Sequence, residues 1–361
     1  MGLNFFSVDY SISFSLIIIL GISLCIIGSL SSQDNPPFIS FYKQLILLVI
    51  SGIVFLFFSN IDWRIYNNRT ILVLYFISLF LLLAVLLVGQ KTRGATAWFR
   101  IGPFSFQPLE IMKIVLILLL AKYLASRHLE IWQFFHLFAT FLYTFLPVSL
   151  LVAQPDLGGA TILVLIWFAM ILVSGIRAKQ ILFLLISGGL IICLAWLFLL
   201  QPYQRNRIIS FLKPETDPLG AGYNREQALI AIGSGGFWGK GLGWGTQTHL
   251  RFLPLSKTDF IFAATAEELG LAGSLLLLIS YMILFSRIFS WSSILSNNFA
   301  KLFAFGLGVK LVTETAINIG MNLGIFPIVG IALPFMSLGE SHLLADFWGL
   351  GILYSMIKYR V

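Results

Sequence analysis

Ten runs of about 20 mostly apolar residues, the length that crosses a bilayer, order this sequence. They lie near residues 11–31, 39–59, 70–89, 108–126, 135–153, 157–175, 179–200, 260–286, 300–323 and 341–357. A helix rises about 1.5 Å per residue, so each run covers a hydrocarbon core of about 30 Å. Lipid offers the backbone no hydrogen-bond partners, and a run of this kind therefore folds as a helix. Composition agrees. Of 361 residues, 58% are hydrophobic and 11% charged, against about 25% charged in a soluble domain. The 23 basic and 15 acidic side chains are too few for a water-facing exterior, which excludes cytosolic enzymes, secreted disulfide scaffolds and disordered tails. The expected fold is an all-α polytopic membrane protein, one unit over residues 1–361, with about ten transmembrane helices. Its longest connection, residues 201–258, is an extracellular loop between helices 7 and 8.

The first run has no basic segment before it and is long enough to span, so it reads as a helix and not as a signal peptide. Cys25 and Cys193 lie inside apolar runs and read as small core hydrophobes. A net charge of +8 would suggest nucleic acid in a soluble domain; here it follows topology, and no nucleic-acid partner is expected. With the N-terminus inside, the cytoplasmic connections hold Arg64, Arg69, Lys122, Arg127, Arg177, Lys179, Arg287, Lys301, Lys358 and Arg360. The short outer connections hold Lys43, Lys91, Arg93 and Arg100. Basic residues concentrate on the cytoplasmic side of membrane proteins, so both termini are expected there.

Two stretches break the hydropathy pattern. Residues 94–107, GATAWFRIGPFSFQ, carry Trp98, Phe99, Phe104 and Phe106 around the single charge of Arg100, as an interfacial or re-entrant segment would. Residues 201–258 hold seven basic residues, Arg205, Arg207, Lys213, Arg225, Lys240, Arg251 and Lys257. A solvated loop drawn to lipid headgroups is one reading. The other is a clamp for a diphosphate, with Arg207 at the end of a span the better candidate. Gly233–Gly245 has seven glycines in thirteen positions but matches neither a dinucleotide fingerprint nor a Walker loop. Either it forms tight turns or it brings backbone close to a bulky substrate.

Charges inside apolar runs are costly, by about 2.5–3.5 kcal/mol on insertion scales, and need partners or water. Glu110 and Lys113 are spaced i,i+3 on the fourth run and Lys310 and Glu314 i,i+4 on the ninth. Asn318 and Asn322 continue the second stripe. A structural salt bridge is the favoured reading for Lys310 and Glu314, whereas Glu110 and Lys113 are expected to line a cavity. Glu267 and Glu268 are adjacent, point about 100° apart and cannot form one bidentate site. Asp156, after Gln154-Pro155, and Asp259, after Lys257-Thr258, each sit where an acid would cap a helix; Asp259 also closes the long polar loop and faces whatever that loop binds. The four histidines form no metal or triad pattern.

Several of these stretches resemble the signatures of the SEDS proteins (shape, elongation, division and sporulation): Gln107-Pro-Leu-Glu110 with Lys113, and Gln154-Pro-Asp-Leu-Gly158. Asp217-Pro-Leu-Gly-Ala-Gly-Tyr223, Ile232-Gly-Ser-Gly-Gly236, Thr258-Asp-Phe-Ile-Phe-Ala263, Glu267-Glu-Leu-Gly270, Asn318-Ile-Gly-Met321 and Pro334-Phe-Met-Ser337 extend the match over nearly the whole chain. The wording is closer to the rod-elongation branch, RodA, than to the division branch, FtsW. Leu109, Leu255, Lys257, Leu338 and Glu340 depart from the family's usual residues.

The resemblance implies ten transmembrane helices in the bacterial cytoplasmic membrane and a peptidoglycan glycosyltransferase that polymerises lipid II at the outer face. It implies as partners a class B penicillin-binding protein transpeptidase, other elongation-complex membrane proteins and membrane lipid. Carried over, the essential acid of the long loop falls on Asp259, as general base or as ligand to Mg²⁺ or Mn²⁺. Glu110, Lys113, Asp156, Arg207, Lys240 and Trp98 become substrate-binding candidates. Gln107, Gln154, Glu267, Glu268, Lys310, Glu314 and Asn318 become supporting ones. A lipid II flippase and a non-catalytic scaffold of the elongation complex are the rival readings.

Overall fold

The computed structural model describes residues 9–92, 95–102, 104–127, 133–194, 197–198, 205, 209–213 and 220–359. Its helices are α1 (Tyr10–Ser31), α2 (Ile39–Asn60), α3 (Asn68–Val88), α4 (Pro108–Ser126), α5 (Phe134–Ala153) and α6 (Leu157–Val173). They continue with α7 (Ala178–Leu194), α8 (Ala221–Ser234), α9 (Ile261–Ile294), α10 (Asn298–Asn322) and α11 (Glu340–Lys358). All but α8 fall on the ten apolar runs. Six of them, α1, α2, α3, α5, α9 and α10, are long and apolar enough to cross a membrane.

Caps set several boundaries. Asp9 accepts from Ser11 N at the start of α1, Asn67 from Thr70 N before α3 and Asn297 from Phe299 N before α10, each satisfying a donor that the first turn leaves open. The centre of the bundle is α4, in which every residue from Met112 to Ala121 is buried. A helix buried all round needs no polar face, and its two mid-run charges are satisfied by neighbours. Large apolar side chains such as Phe57, Phe76, Leu87, Phe145 and Ile186 are exposed around the outside, as a lipid-facing surface requires. Cys25 and Cys193 are also exposed. The expectation that they belong to the core is corrected: in lipid a small apolar side chain can face outward at little cost.

Residues 94–107 contribute strands, which their aromatic content did not announce. β1 (Gln90–Thr92), β2 (Ala95–Ile101) and β3 (Phe104–Phe106) form an antiparallel sheet in the order β1-β2-β3. Gly102, at φ 62°, occupies the turn between β2 and β3. Thr96 N donates to Gln154 O at 3.2 Å, and Ser105 Oγ donates to Glu340 Oε2 at 2.6 Å. The sheet is thereby fastened over the α5–α6 turn and the start of α11.

A second departure from a plain bundle lies in α9. At about 51 Å it is longer than the hydrocarbon core is thick, and Gly270 breaks it with φ 69° and ψ −165°. Residues 261–269 connect the ends of two other helices: Ala263 N donates to Asn322 Oδ1 at 3.0 Å, and Ser29 Oγ donates to Glu268 Oε1 at 2.9 Å. The remaining 271–294 is a span of ordinary length.

Candidate functional site

The acids and amides singled out in the sequence gather into three places. The first is a buried chain of charges. Lys113 Nζ lies 2.7 Å from Glu110 Oε1 and 2.7 Å from Glu314 Oε1. Lys310 Nζ lies 2.9 Å from Glu314 Oε2 and also pairs with Asp346. Five side chains from α4, α10 and α11 form one alternating series, Glu110–Lys113–Glu314–Lys310–Asp346. All five are buried. The two local pairs are one structure, in which the Lys113 charge is met by Glu110 and Glu314 together. Asp346 was not foreseen. It is an acid inside the last apolar run, so the same rule that flagged Lys310 would have found it.

The second place is the glycine-rich loop, which docks onto the break in α9. Leu271 N and Ala272 N donate to Gly236 O and Phe237 O, while Lys240 N and Gly241 N donate to Glu267 O and Glu268 O. A Cβ at Gly235 or Gly239 would collide with the carbonyl of Ala266 or Glu268. These glycines permit close approach of backbone to backbone, which decides the earlier alternative for them in favour of packing. Glu267 then orders the following turn. Its carboxylate accepts Lys240 Nζ at 2.9 Å, Gln247 N at 2.8 Å, Thr248 N at 3.0 Å and Thr248 Oγ1 at 2.9 Å. Glu268 instead meets His249 Nε2 at 2.8 Å. The two neighbouring carboxylates serve separate sets of partners, as their angular offset required. Lys240 is engaged in holding the loop together.

The third place is the Asp259 turn. Asp259 is buried, at 5% exposure. It does not cap α9, because the cap position is Phe260 and lacks a side-chain cap bond. Its peptide carbonyl accepts Asn318 Nδ2 at 3.1 Å and Asn322 Nδ2 at 3.0 Å. Asn318 Nδ2 also reaches Ile331 O at 2.8 Å. From the other side Ser337 Oγ donates to Thr258 O at 2.6 Å and Leu338 N to Lys257 O at 2.9 Å. Segment 333–338 is itself anchored by Tyr281 Oη, 2.5 Å from Pro334 O. The turn is clasped between the end of α10 and this segment, with Gly330 passing close to the carboxylate: a Cβ there would lie 3.6 Å from Asp259 Oδ2.

Asp156 precedes α6, whose start lies against the segment that carries Gly330. A Cβ on Gly158 would lie 2.9 Å from Val329 O, so the start of α6 packs against the strand of chain that covers Asp259. The capping role holds for Asp156, whose Oδ1 accepts Gly159 N at 2.9 Å. Gln107 Nε2 is 3.5 Å from Asp156 Oδ2. Gln154, 1% exposed, donates to Leu82 O at 2.6 Å and supports the α5–α6 turn. Trp98 is partly exposed on β2, opposite Gln90. Arg207 lies outside the described residues.

Lys257 and Glu340, two of the departures from the family's usual residues, both have partners. Lys257 pairs with Asp34 and is 3.3 Å from Ser40 Oγ. Burial alone would raise the Asp34 pKa, but bonds from Lys257 and Ser40 outweigh it and hold the carboxyl below its usual range. Glu340 pairs with Lys43 as well as Ser105. Both therefore tie the first two helices and the sheet to the segments around Asp259. Among the described residues no three His, Cys, Asp or Glu side chains form a metal cage.

A polytopic helical membrane protein with a clasped, buried carboxylate at the end of its 201–258 connection is the class these features define. The model of the family described as cell cycle protein, FtsW, RodA and SpoVE, matches residues 3–361, and the chain belongs to this SEDS family. It is 38% identical to the peptidoglycan glycosyltransferase MrdB of Escherichia coli K12, over 96% of this chain and 92% of that one. It is 34% identical to the stage V sporulation protein E of Bacillus subtilis, over 95% of both chains. Among solved structures it is similar to the rod shape determining protein RodA of Thermus thermophilus, with a TM-score of 0.74 and 29% identity, covering 99% of both chains. It is also similar to a chain of a peptidoglycan synthase complex that coordinates polymerisation and crosslinking, with a TM-score of 0.83 and 30% identity, covering 98% of this chain and 99% of that one.

Proposed function

We propose that this chain is a peptidoglycan glycosyltransferase that polymerises lipid II at the outer face of the cytoplasmic membrane, with both termini inside, in the service of cell elongation. The observation that carries this reading is the Asp259 turn: a buried carboxylate whose backbone is held from both sides, in a chain related along its length to glycosyltransferases. The C4 hydroxyl of one lipid II attacks the anomeric carbon of a lipid-linked chain. Asp259 takes the hydroxyl proton as the new glycosidic bond forms, and undecaprenyl diphosphate leaves with the electron pair of the broken bond. The basic residues of the outer loop, Arg207 among them, neutralise the departing diphosphate, and the Trp98 sheet guides a polyprenyl tail toward the grooves between helices.

Mg²⁺ or Mn²⁺ fits here only together with substrate. Mg²⁺ is commonly held by one or two carboxylates plus substrate phosphates, and Asp259 is the carboxylate this turn supplies. Such an ion would add positive charge at the leaving diphosphate. A class B penicillin-binding protein is the expected transpeptidase partner, by analogy with the synthase complex.

The test is polymerisation of lipid II by purified protein, with and without divalent ion. Asp259→Ala should form no polymer while keeping its melting temperature; full activity would end the assignment. A lipid II flippase would need a polar path across the bilayer, yet Glu110, Lys113, Lys310 and Glu314 are spent on one another.

A further inference from the structure

At the end of the bundle opposite Asp259, a cavity of about 260 Å³ opens between four helix ends. Leu124 and Ala125 of α4, Val173 of α6, and Leu302 and Phe305 of α10 give it an apolar wall. Ser174, Ser292, Asn298 and Lys301 form the polar part. The two hydroxyls already donate to carbonyls of their own helices, Ser174 to Met170 and Ser292 to Phe289, each at 2.7 Å. The donors left are the Asn298 amide and the Lys301 ammonium, which has no side-chain hydrogen bond or ion pair among the described residues. A second ammonium, Lys122, two residues before Leu124 on α4, lies 5.1 Å from the centroid of the Phe299 ring. Among the described residues no acid lines the cavity.

An unpaired cation beside an apolar wall, at the level where helices leave the bilayer, suits a molecule that is anionic at one end and apolar at the other. Basic pockets between transmembrane helices on the cytoplasmic side take acidic lipid headgroups in this way. We infer that this cavity binds the phosphate and glycerol of an anionic phospholipid from the leaflet on the side of the N-terminus. Lys301 and Asn298 meet the phosphate oxygens, while Val173, Leu302 and Phe305 meet the glycerol and upper acyl carbons. The site is far from Asp259, separated by the 271–294 span of α9, and is independent of the chemistry proposed there.

Native mass spectrometry of the full chain in detergent tests the inference, with dihexanoyl phosphatidylglycerol, dihexanoyl phosphatidylcholine and inorganic phosphate as probes. Phosphatidylglycerol should be retained in preference to phosphatidylcholine, and inorganic phosphate should not displace it. Lys301→Gln should weaken retention by about fivefold, the scale of one lysine at an anionic headgroup. Ser292→Leu, which keeps the charge and fills the cavity, should weaken it as well. Lys358→Gln, the same charge change at the C-terminal end of α11, should leave retention unchanged, and Lys301→Arg should restore it. Equal loss in Lys301→Gln and Lys358→Gln would reduce the effect to diffuse attraction and overturn the site. Displacement by inorganic phosphate alone, or unaltered retention in Ser292→Leu, would overturn the lipid assignment.

Discussion

The buried charge chain and the Asp259 turn both place carboxylates out of water, and the contacts seen at the two places differ: side-chain ion pairs in the one, amide bonds to the peptide carbonyl in the other. In the chain, Glu110, Glu314 and Asp346 are paired directly with Lys113 and Lys310. At Asp259 the neighbouring helices grip the peptide carbonyl through the Asn318 and Asn322 amides, and the position of the carboxylate is fixed through its backbone. Ionic pairing holds helices together but commits each charge to its partner. The amide clamp acts on the peptide carbonyl, so it positions the Asp259 turn through the backbone.

Conservative changes at the two places should therefore fail in opposite ways. Asp259→Asn should lower polymerisation of lipid II by at least about 100-fold, the low end of what a general base contributes, with little change in thermal unfolding. Lys310→Met should instead destabilise the protein by about 3–5 kcal/mol, since it strands Asp346 without its lysine and leaves Glu314 only Lys113. The double variant Lys310→Met with Asp346→Leu should recover much of that loss, because removing both members of a buried pair is far less costly than removing one. Thermal unfolding in detergent distinguishes the two outcomes, and equal instability in the double variant would contradict the pairing account.

The clamp itself gives a smaller and more selective effect. Asn322→Ala leaves the Asp259 carbonyl with one donor in place of two and frees Ala263 N, at a cost of about 1–3 kcal/mol. It should lower kcat for glycosyl transfer while KM changes little, because it shifts the turn and leaves the substrate contacts. A rise in KM alone would assign Asn322 to binding. The smallest effect is expected at the outer clasp between Lys257 and Asp34. Asp34 has a depressed pKa in the folded protein, so its contribution is present above the unfolded carboxylate value of about 3.9 and is lost as pH falls through the lower folded value. Asp34→Asn should therefore lower the melting temperature slightly at neutral pH and converge with the parent protein as pH falls through the lower folded value, flattening the acid limb below about pH 4.

Hydropathy made the helices legible, and the intramembrane charges made the buried chain half legible. The rule that a charge in lipid needs a partner pointed to Glu110, Lys113, Lys310 and Glu314, and two of the contacts, at i,i+3 and i,i+4, could be drawn from helical spacing. The bond from Lys113 to Glu314 joins residues 201 positions apart, and no periodicity reports on that. The sheet escaped notice because its aromatics suit an interfacial segment as well as a strand. The glycine run was visible but ambiguous: glycine permits close approach without saying what approaches, and here it is the backbone of α9 at Gly270.

By itself the sequence determined where the chain crosses lipid, because each apolar run must satisfy its own backbone within about 20 residues. It also determined that the acids within those runs are not incidental, because lipid makes an unpaired charge costly. Only the tertiary structure decided which lysine serves which acid, that α4 is central despite its charges, and that Asp259 is held by its carbonyl. Those outcomes depend on which helix faces are brought together. Local periodicity sets the direction in which a side chain points; packing between distant segments sets what it meets.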